Sequence, residues 1–270
     1  VSPTGFAEAL DKVQRTGTMT FEVDLDPSWT VLGKPNGGYL VALLARCARD
    51  VVTGQRPNQD VCVAASTNYS GASDTGPALV EIAIERIGKG ASHVRATLTQ
   101  GERTPVESLM VFGTLGDEAR RYDSTSAPVL PPQDACIGSP MAQEGQEAVG
   151  ILAGTEMRFD PKFMDWSQGT DGRAELVGWA RFYDQSPIDA LSLHYFLDCF
   201  PPATFPIGSS GWVPTLQLTT YVRDVPVGEW LKIRQYGQVV ADGFVDEVCE
   251  IYDERDRLVG QATQLAMVRF

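Results

Sequence analysis

Residues 188–200 read IDALSLHYFLDCF, and the architecture follows from how this stretch can be buried. At 3.6 residues per turn, Leu193, Phe196, Leu197 and Phe200 form one apolar stripe, while Ile188, Leu191 and Tyr195 form another. A helix apolar on most of its surface is a buried helix, so something must wrap it. Strand-like runs follow at 212–222, 229–236, 242–252 and 257–268, with hairpin-like connections and no helix between them. Consecutive strands without intervening helices cannot form parallel crossovers, so the sheet is expected to be antiparallel. The physical solution is a curved antiparallel sheet enclosing a central helix.

The same order occurs earlier in the chain. A helical run at 36–52 (NGGYLVALLARCARDVV) precedes strand-like runs at 61–69, 78–87, 91–100 and 105–115. Cys47 falls opposite Cys199, Thr67 opposite Thr219 and Tyr69 opposite Tyr221, each 152 residues apart, and Val106 lies 153 before Val259. A further strand is expected to open each half, at 18–23 and 174–183, and residues 4–13 read as a short helix with Thr4 as its cap. The stretch 116–155 holds Pro128, Pro131, Pro132 and Pro140 and has no clear period, so it reads as a surface linker. The expected division is 1–115, the linker 116–155, and 156–270.

The chain has 270 residues, 43% hydrophobic and 21% charged, enough apolar material for a large core and too much for a disordered tail. Its 22 Lys and Arg against 35 Asp and Glu give a net charge of −13, which repels nucleic acid and anionic membranes. The five cysteines lack CxxC spacing and sit mostly in apolar runs, so they read as reduced core residues. The opening VSPTGFAEALDKVQ carries no signal-like apolar core, and no run reaches the roughly 18 apolar residues a membrane span needs. A soluble cytoplasmic protein is expected. No GxSxG elbow or GxxxxGK[ST] phosphate loop occurs, and His93 and His194 have no ligand-spaced partners.

Asp198 is the most informative residue. It shares a helix side with Tyr195 and Leu191, so its carboxylate is poorly solvated and its pKa should rise. Two readings stay open: a working acid or base, or a structural cap where Pro201–Pro202 ends the helix. Counted across the repeat, its first-half counterpart is Arg46, and that of Gln264 is Val111, which favours one site per chain, built from the second half. Thr219 alternates with Gln217 and Tyr221 on one strand face, and Gln264 shares its face with Gly260, Ala262, Ala266 and Val268. Either can be ordinary strand packing. The Asn36-Gly37-Gly38 string opens the first helix. Its free N–H groups suit a cap and tight turn, or an oxyanion and a closely approaching ligand at Gly37 and Gly38.

Taken together, GKPNGGYLVALLARCA (33–48), FLDCF (196–200), TLQLTTYVR (215–223) and LVGQATQLAMVR (258–269) resemble the acyl-CoA thioesterase II family and the wider thioesterase-like superfamily. The resemblance implies an α+β double hotdog: two antiparallel β-sheets, each wrapped around a central helix. It also implies a catalytic trio that falls on Asp198, Thr219 and Gln264 and activates water against a thioester. Gln217 and Leu218 stand where relatives of the enterobacterial type commonly carry Asp and His, which bears on substrate range.

The implied reaction is hydrolysis of a fatty acyl-CoA to free acid and CoA, with no metal or redox cofactor. CoA phosphates would meet surface cations such as Lys34 or Arg86. The alternatives are an acyl-CoA hydratase on a related scaffold, which needs a second acid/base group near Asp198, and a non-catalytic acyl-CoA binding protein. Two such units already sit in one chain, so a monomer can be complete, and a homodimer stays open.

Overall fold

The computed structural model describes residues 3–116, 119–139, 149–164 and 172–270; residues 117–118 and 140–148 of the expected linker, Pro140 included, lie outside them. The first half runs α1 (Phe6–Leu10), β1 (Val13–Arg15), β2 (Thr20–Leu25), the two-residue strands β3 (Thr30–Val31) and β4 (Lys34–Pro35), and α2 (Gly37–Thr53). It continues with β5 (Val61–Tyr69), β6 (Gly76–Ile87), β7 (Ser92–Gln100) and β8 (Arg103–Gly113). The second half runs β9 (Ile137–Gly138), α3 (Ile151–Gly154), β10 (Thr155–Phe159), β11 (Glu175–Phe182) and α4 (Leu193–Phe196). Strands β12 (Thr215–Val222), β13 (Leu231–Ala241), β14 (Phe244–Tyr252) and β15 (Leu258–Met267) complete it.

Among the described residues the strand order is β1-β2-β6-β7-β8-β5-β12-β15-β14-β13-β11-β10-β9, one antiparallel sheet of 13 strands, with β3 and β4 paired apart from it. Read outward from the β5–β12 junction, the two halves follow equivalent orders, as the repeat implied. The expectation of two separate sheets is corrected at that junction, where Gln217 to Tyr221 pair with Asn68 to Ala64. The two strands satisfy each other's backbone groups, so neither is left as an open edge.

The helices also differ from expectation. In α2, 12 of 17 residues are buried, which makes it the central helix of the first half. The second helix is only Leu193–Phe196, one turn, although all four of its residues are buried. Asp189 and Ser192 exchange side-chain bonds with each other's backbone N–H at 2.7 and 2.9 Å, holding a turn just ahead of the helix. The chain leaves the helix at Leu197, and Pro201–Pro202 keeps it from resuming. In α1, Gly5 is the N-cap and no side chain caps it; the Thr4 N–H instead reaches Ser28 Oγ at 3.2 Å.

Aromatic packing fixes the α4 turn. Tyr195 lies 5.0 Å from Phe6 and 5.1 Å from Trp29 between ring centroids, and its hydroxyl is 2.6 Å from that of Thr155. Each ring pair is worth about 0.5–1.5 kcal/mol beyond simple burial, so Asp198, three residues on, starts from a rigid base. Buried His194 bridges the halves, with Nδ1 2.8 Å from Thr220 Oγ1 and Nε2 3.2 Å from the Cys62 carbonyl oxygen. A carbonyl only accepts, so Nε2 carries the proton and Nδ1 accepts from the threonine.

Candidate active site

Asp198 follows α4 and lies against the start of α2. Its Oδ2 accepts from the Gly38 N–H at 2.8 Å and from Asn36 Nδ2 at 3.2 Å. Asn36 is also the N-cap of α2: its Oδ1 accepts from the Tyr39 N–H at 3.0 Å, and its Nδ2 donates to the Asp198 carbonyl at 2.9 Å. The glycine pair makes this approach possible. A Cβ on Gly38 would stand 2.7 Å from the His194 carbonyl oxygen, and one on Gly37 would stand 2.8 Å from Asp198 Oδ2. The close neighbour of Gly37 and Gly38 is therefore another part of the same chain.

Burial pushes the Asp198 carboxyl up to about 6, against the downward pull of Gly38 and Asn36. The side chain is only half-buried. Among the described residues its Oδ1 has no hydrogen-bond partner and is not a fully buried atom, so one oxygen is held by protein and the other is not.

Gln264 lies on the inner face of β15, opposite Leu218 on one side and Glu247 on the other. Its Oε1 accepts from the Thr215 hydroxyl at 2.8 Å, and its Nε2 donates to Glu247 Oε2 at 2.5 Å. Glu247 also accepts from the Ala203 N–H at 2.8 Å and from Gln235 Nε2 at 3.1 Å. Burial raises the Glu247 carboxyl to about 7, opposed by those donors and reinforced by the nearby Asp198 charge. Asp198 and Gln264 thus belong to two adjoining polar clusters, one at the helix contact and one on the sheet.

Thr219 does not join them. It pairs with Thr263 on the outer face, where its hydroxyl is 3.2 Å from Ser66 Oγ and 3.4 Å from Gln217 Nε2. Residues directly opposite in an antiparallel pair share a face, so Thr219 and Gln264 project from opposite sides of the sheet. The hydroxyl that meets Gln264 is that of Thr215. A β-bulge between Thr215 and Gln217 turns Thr215 inward, opposite Ala266, although simple alternation would put it outside. The 152-residue repeat spacing fails here too, because Thr67 is buried on the inner face while Thr219 faces outward.

Glu247 had a signal in the sequence: it stands in FVDEVCEIY at the inward parity of Val245, Cys249 and Ile251. Lys34, a candidate phosphate contact, is ion-paired with Asp74 at 2.6 Å. All five cysteines are free and buried. Among the described residues no helix is long and apolar enough to cross a membrane.

Sequence profiles of the acyl-CoA thioesterase N-terminal and C-terminal domains match residues 25–114 and 132–268. An uncharacterised protein of Mycobacterium tuberculosis is 31% identical over 265 residues, spanning 92% of this chain and 90% of that one. A candidate thioesterase II of Thermobifida fusca superposes with a TM-score of 0.88 at 29% identity, covering 97% of this chain and 98% of the other. A hot dog fold protein of Alicyclobacillus acidocaldarius superposes at 0.83 with 17% identity, covering 98% of both chains, a likeness of fold alone. With both domain profiles in order along one sheet, the chain belongs to the acyl-CoA thioesterase family.

Proposed function

We propose that the protein hydrolyses the thioester of a fatty acyl-CoA, with Asp198 as general base. The observation that carries this reading is the unequal state of the two Asp198 oxygens. Oδ2 is held by Gly38 and Asn36, and Oδ1 is left to take a water proton. A carboxyl raised to about 6 is largely ionised at neutral pH yet more basic than an ordinary aspartate. Water attacks the thioester carbonyl carbon as its proton passes to Asp198. The tetrahedral intermediate collapses, the C–S bond breaks, and the proton returns to the departing CoA sulfur. Acid and CoA are the products, and the carboxylate is regenerated.

Gln264 supports the reacting groups in this scheme, with Thr215 rather than Thr219 as its hydroxyl partner. Gly37 and Gly38 serve by admitting Asp198 to the helix start. Glu247 supplies a second carboxyl near Asp198, as a hydratase would need, but both its oxygens are engaged by Ala203, Gln235 and Gln264. That favours hydrolysis over water addition.

The test is Asp198→Asn, assayed with acyl-CoA thioesters of several chain lengths and with an enoyl-CoA. Turnover should fall at least about a hundredfold in a folded variant. Unchanged hydrolysis removes Asp198 from the mechanism. Hydration of the enoyl-CoA by the unaltered protein supports the hydratase, and binding without product a non-catalytic role.

A further inference from the structure

The Glu247–Gln264–Thr215 chain has a direction. A glutamine amide can be turned either way about its last bond, and its neighbours decide which end is donor and which acceptor. Glu247 Oε2, as a carboxylate, only accepts, so it takes the Nε2 end of Gln264 at 2.5 Å. That leaves Oε1 to face the Thr215 hydroxyl, which donates at 2.8 Å. One N–H of Gln264 then remains uncommitted among the described residues, on a half-buried side chain bonded to Glu247, whose carboxyl feels the Asp198 charge.

We propose that Glu247 is a positioning residue for hydrolysis: its ionised carboxylate sets the orientation of the Gln264 amide and so presents the remaining N–H to the reacting water or thioester carbonyl. This rests on the thioesterase reading above. Glu247 touches neither and acts through Gln264. Ala203 and Gln235 keep it in place, Ala203 from the loop after α4 and Gln235 from β13. The titratable groups that feel its charge are Asp198 beyond the helix turn and Cys249 on its own strand.

Protonation of Glu247 reverses the arrangement. A neutral carboxyl can donate to Gln264 Oε1, which turns the amide and offers Thr215 an N–H in place of the carbonyl. Activity then needs two ionised carboxylates rather than one, and Glu247 ionises near neutrality, at about 7.

The test is the acid limb of log(kcat/KM) against pH for a saturated acyl-CoA. In the unaltered protein the slope should approach about 2 at low pH, where both carboxyls are protonated. In Glu247→Gln it should drop to about 1, with kcat at pH 8 reduced about a hundredfold or more and KM within about twofold. In a Gln264→Leu background, Glu247→Gln should add less than about a twofold further loss. A limiting slope of 1 in the unaltered protein overturns the proposal even if Glu247→Gln fails to fold. So does an unchanged slope in a folded Glu247→Gln. If Asp198→Asn is inactive while either result holds, only the role of Glu247 fails; if Asp198→Asn stays active, the thioesterase mechanism itself fails.

Discussion

Asp198 Oδ2 lies 2.8 Å from the backbone nitrogen of Gly38, a contact between residues 160 apart in sequence. The first half supplies the cap and the N–H, and the second half supplies the carboxylate. A helix N-terminus favours a negative charge, yet here burial outweighs that preference and the carboxyl is still raised to about 6. The contact therefore holds the carboxylate in place while its pKa stays raised.

Gly38→Ala should damage both stability and turnover. The new Cβ would sit 2.7 Å from the His194 carbonyl and 2.9 Å from Asp198 Cβ and the Tyr195 carbonyl, and backbone atoms cannot step aside cheaply. A loss of about 1–3 kcal/mol in urea unfolding is expected, with kcat reduced more than KM is raised. A variant as stable and active as the parent would show that the tight approach of α2 and the α4 turn is unnecessary.

Thr215→Val and Thr219→Val separate the two faces of β12. The first removes the hydroxyl bonded to Gln264 and should lower kcat about tenfold or more. The second removes an outer-face bond to Ser66 and should leave kcat within about twofold. The opposite ranking in steady-state kinetics would refute the register given for β12 and β15.

Stability should depend on pH through Asp198 in a defined sense. Its folded-state pKa is raised from 3.8 to about 6, so the folded protein holds more protons than the unfolded chain between those values. Stability contributed by this group is present at low pH and lost as pH rises through about 6. Asp198→Asn lacks that loss. Relative to the parent, it should gain about 2 kcal/mol of unfolding free energy between pH 4.5 and 8. Equal differences at the two pH values in chemical denaturation would contradict a raised pKa.

His194 should stay neutral through the physiological range. Burial pushes its pKa from 6.5 down to about 4, and its Nε2 proton is committed to the Cys62 carbonyl. In NMR titration the ring should hold the Nε2–H tautomer and show no charging between pH 8 and about 5.5. Titration near its ordinary value would mean that the bridge between the halves is open to water.

The repeat, the antiparallel strands and the long first helix were legible because periodicity reports burial directly. Asp198 and Gln264 were legible as polar residues among apolar or small neighbours. Thr215 was not, because a single bulge inverts alternation and leaves no mark in a count of residues. The helix expected at 188–200 is only one turn long, because apolar periodicity does not reveal the Asp189–Ser192 turn that precedes it. Nor does any strand announce its neighbour: the β5–β12 pairing that merges the halves is a tertiary choice.

The shared custody of Asp198 also bears on how such a chain could arise. Two identical copies side by side would hold the arrangement twice, once in each direction. Fusion into one polypeptide releases one copy from that duty, and it can drift into scaffold while the other keeps the chemistry. Severed between its halves, this polypeptide should be silent as either fragment, and should recover only by complementation, when the fragments zip together along β5 and β12.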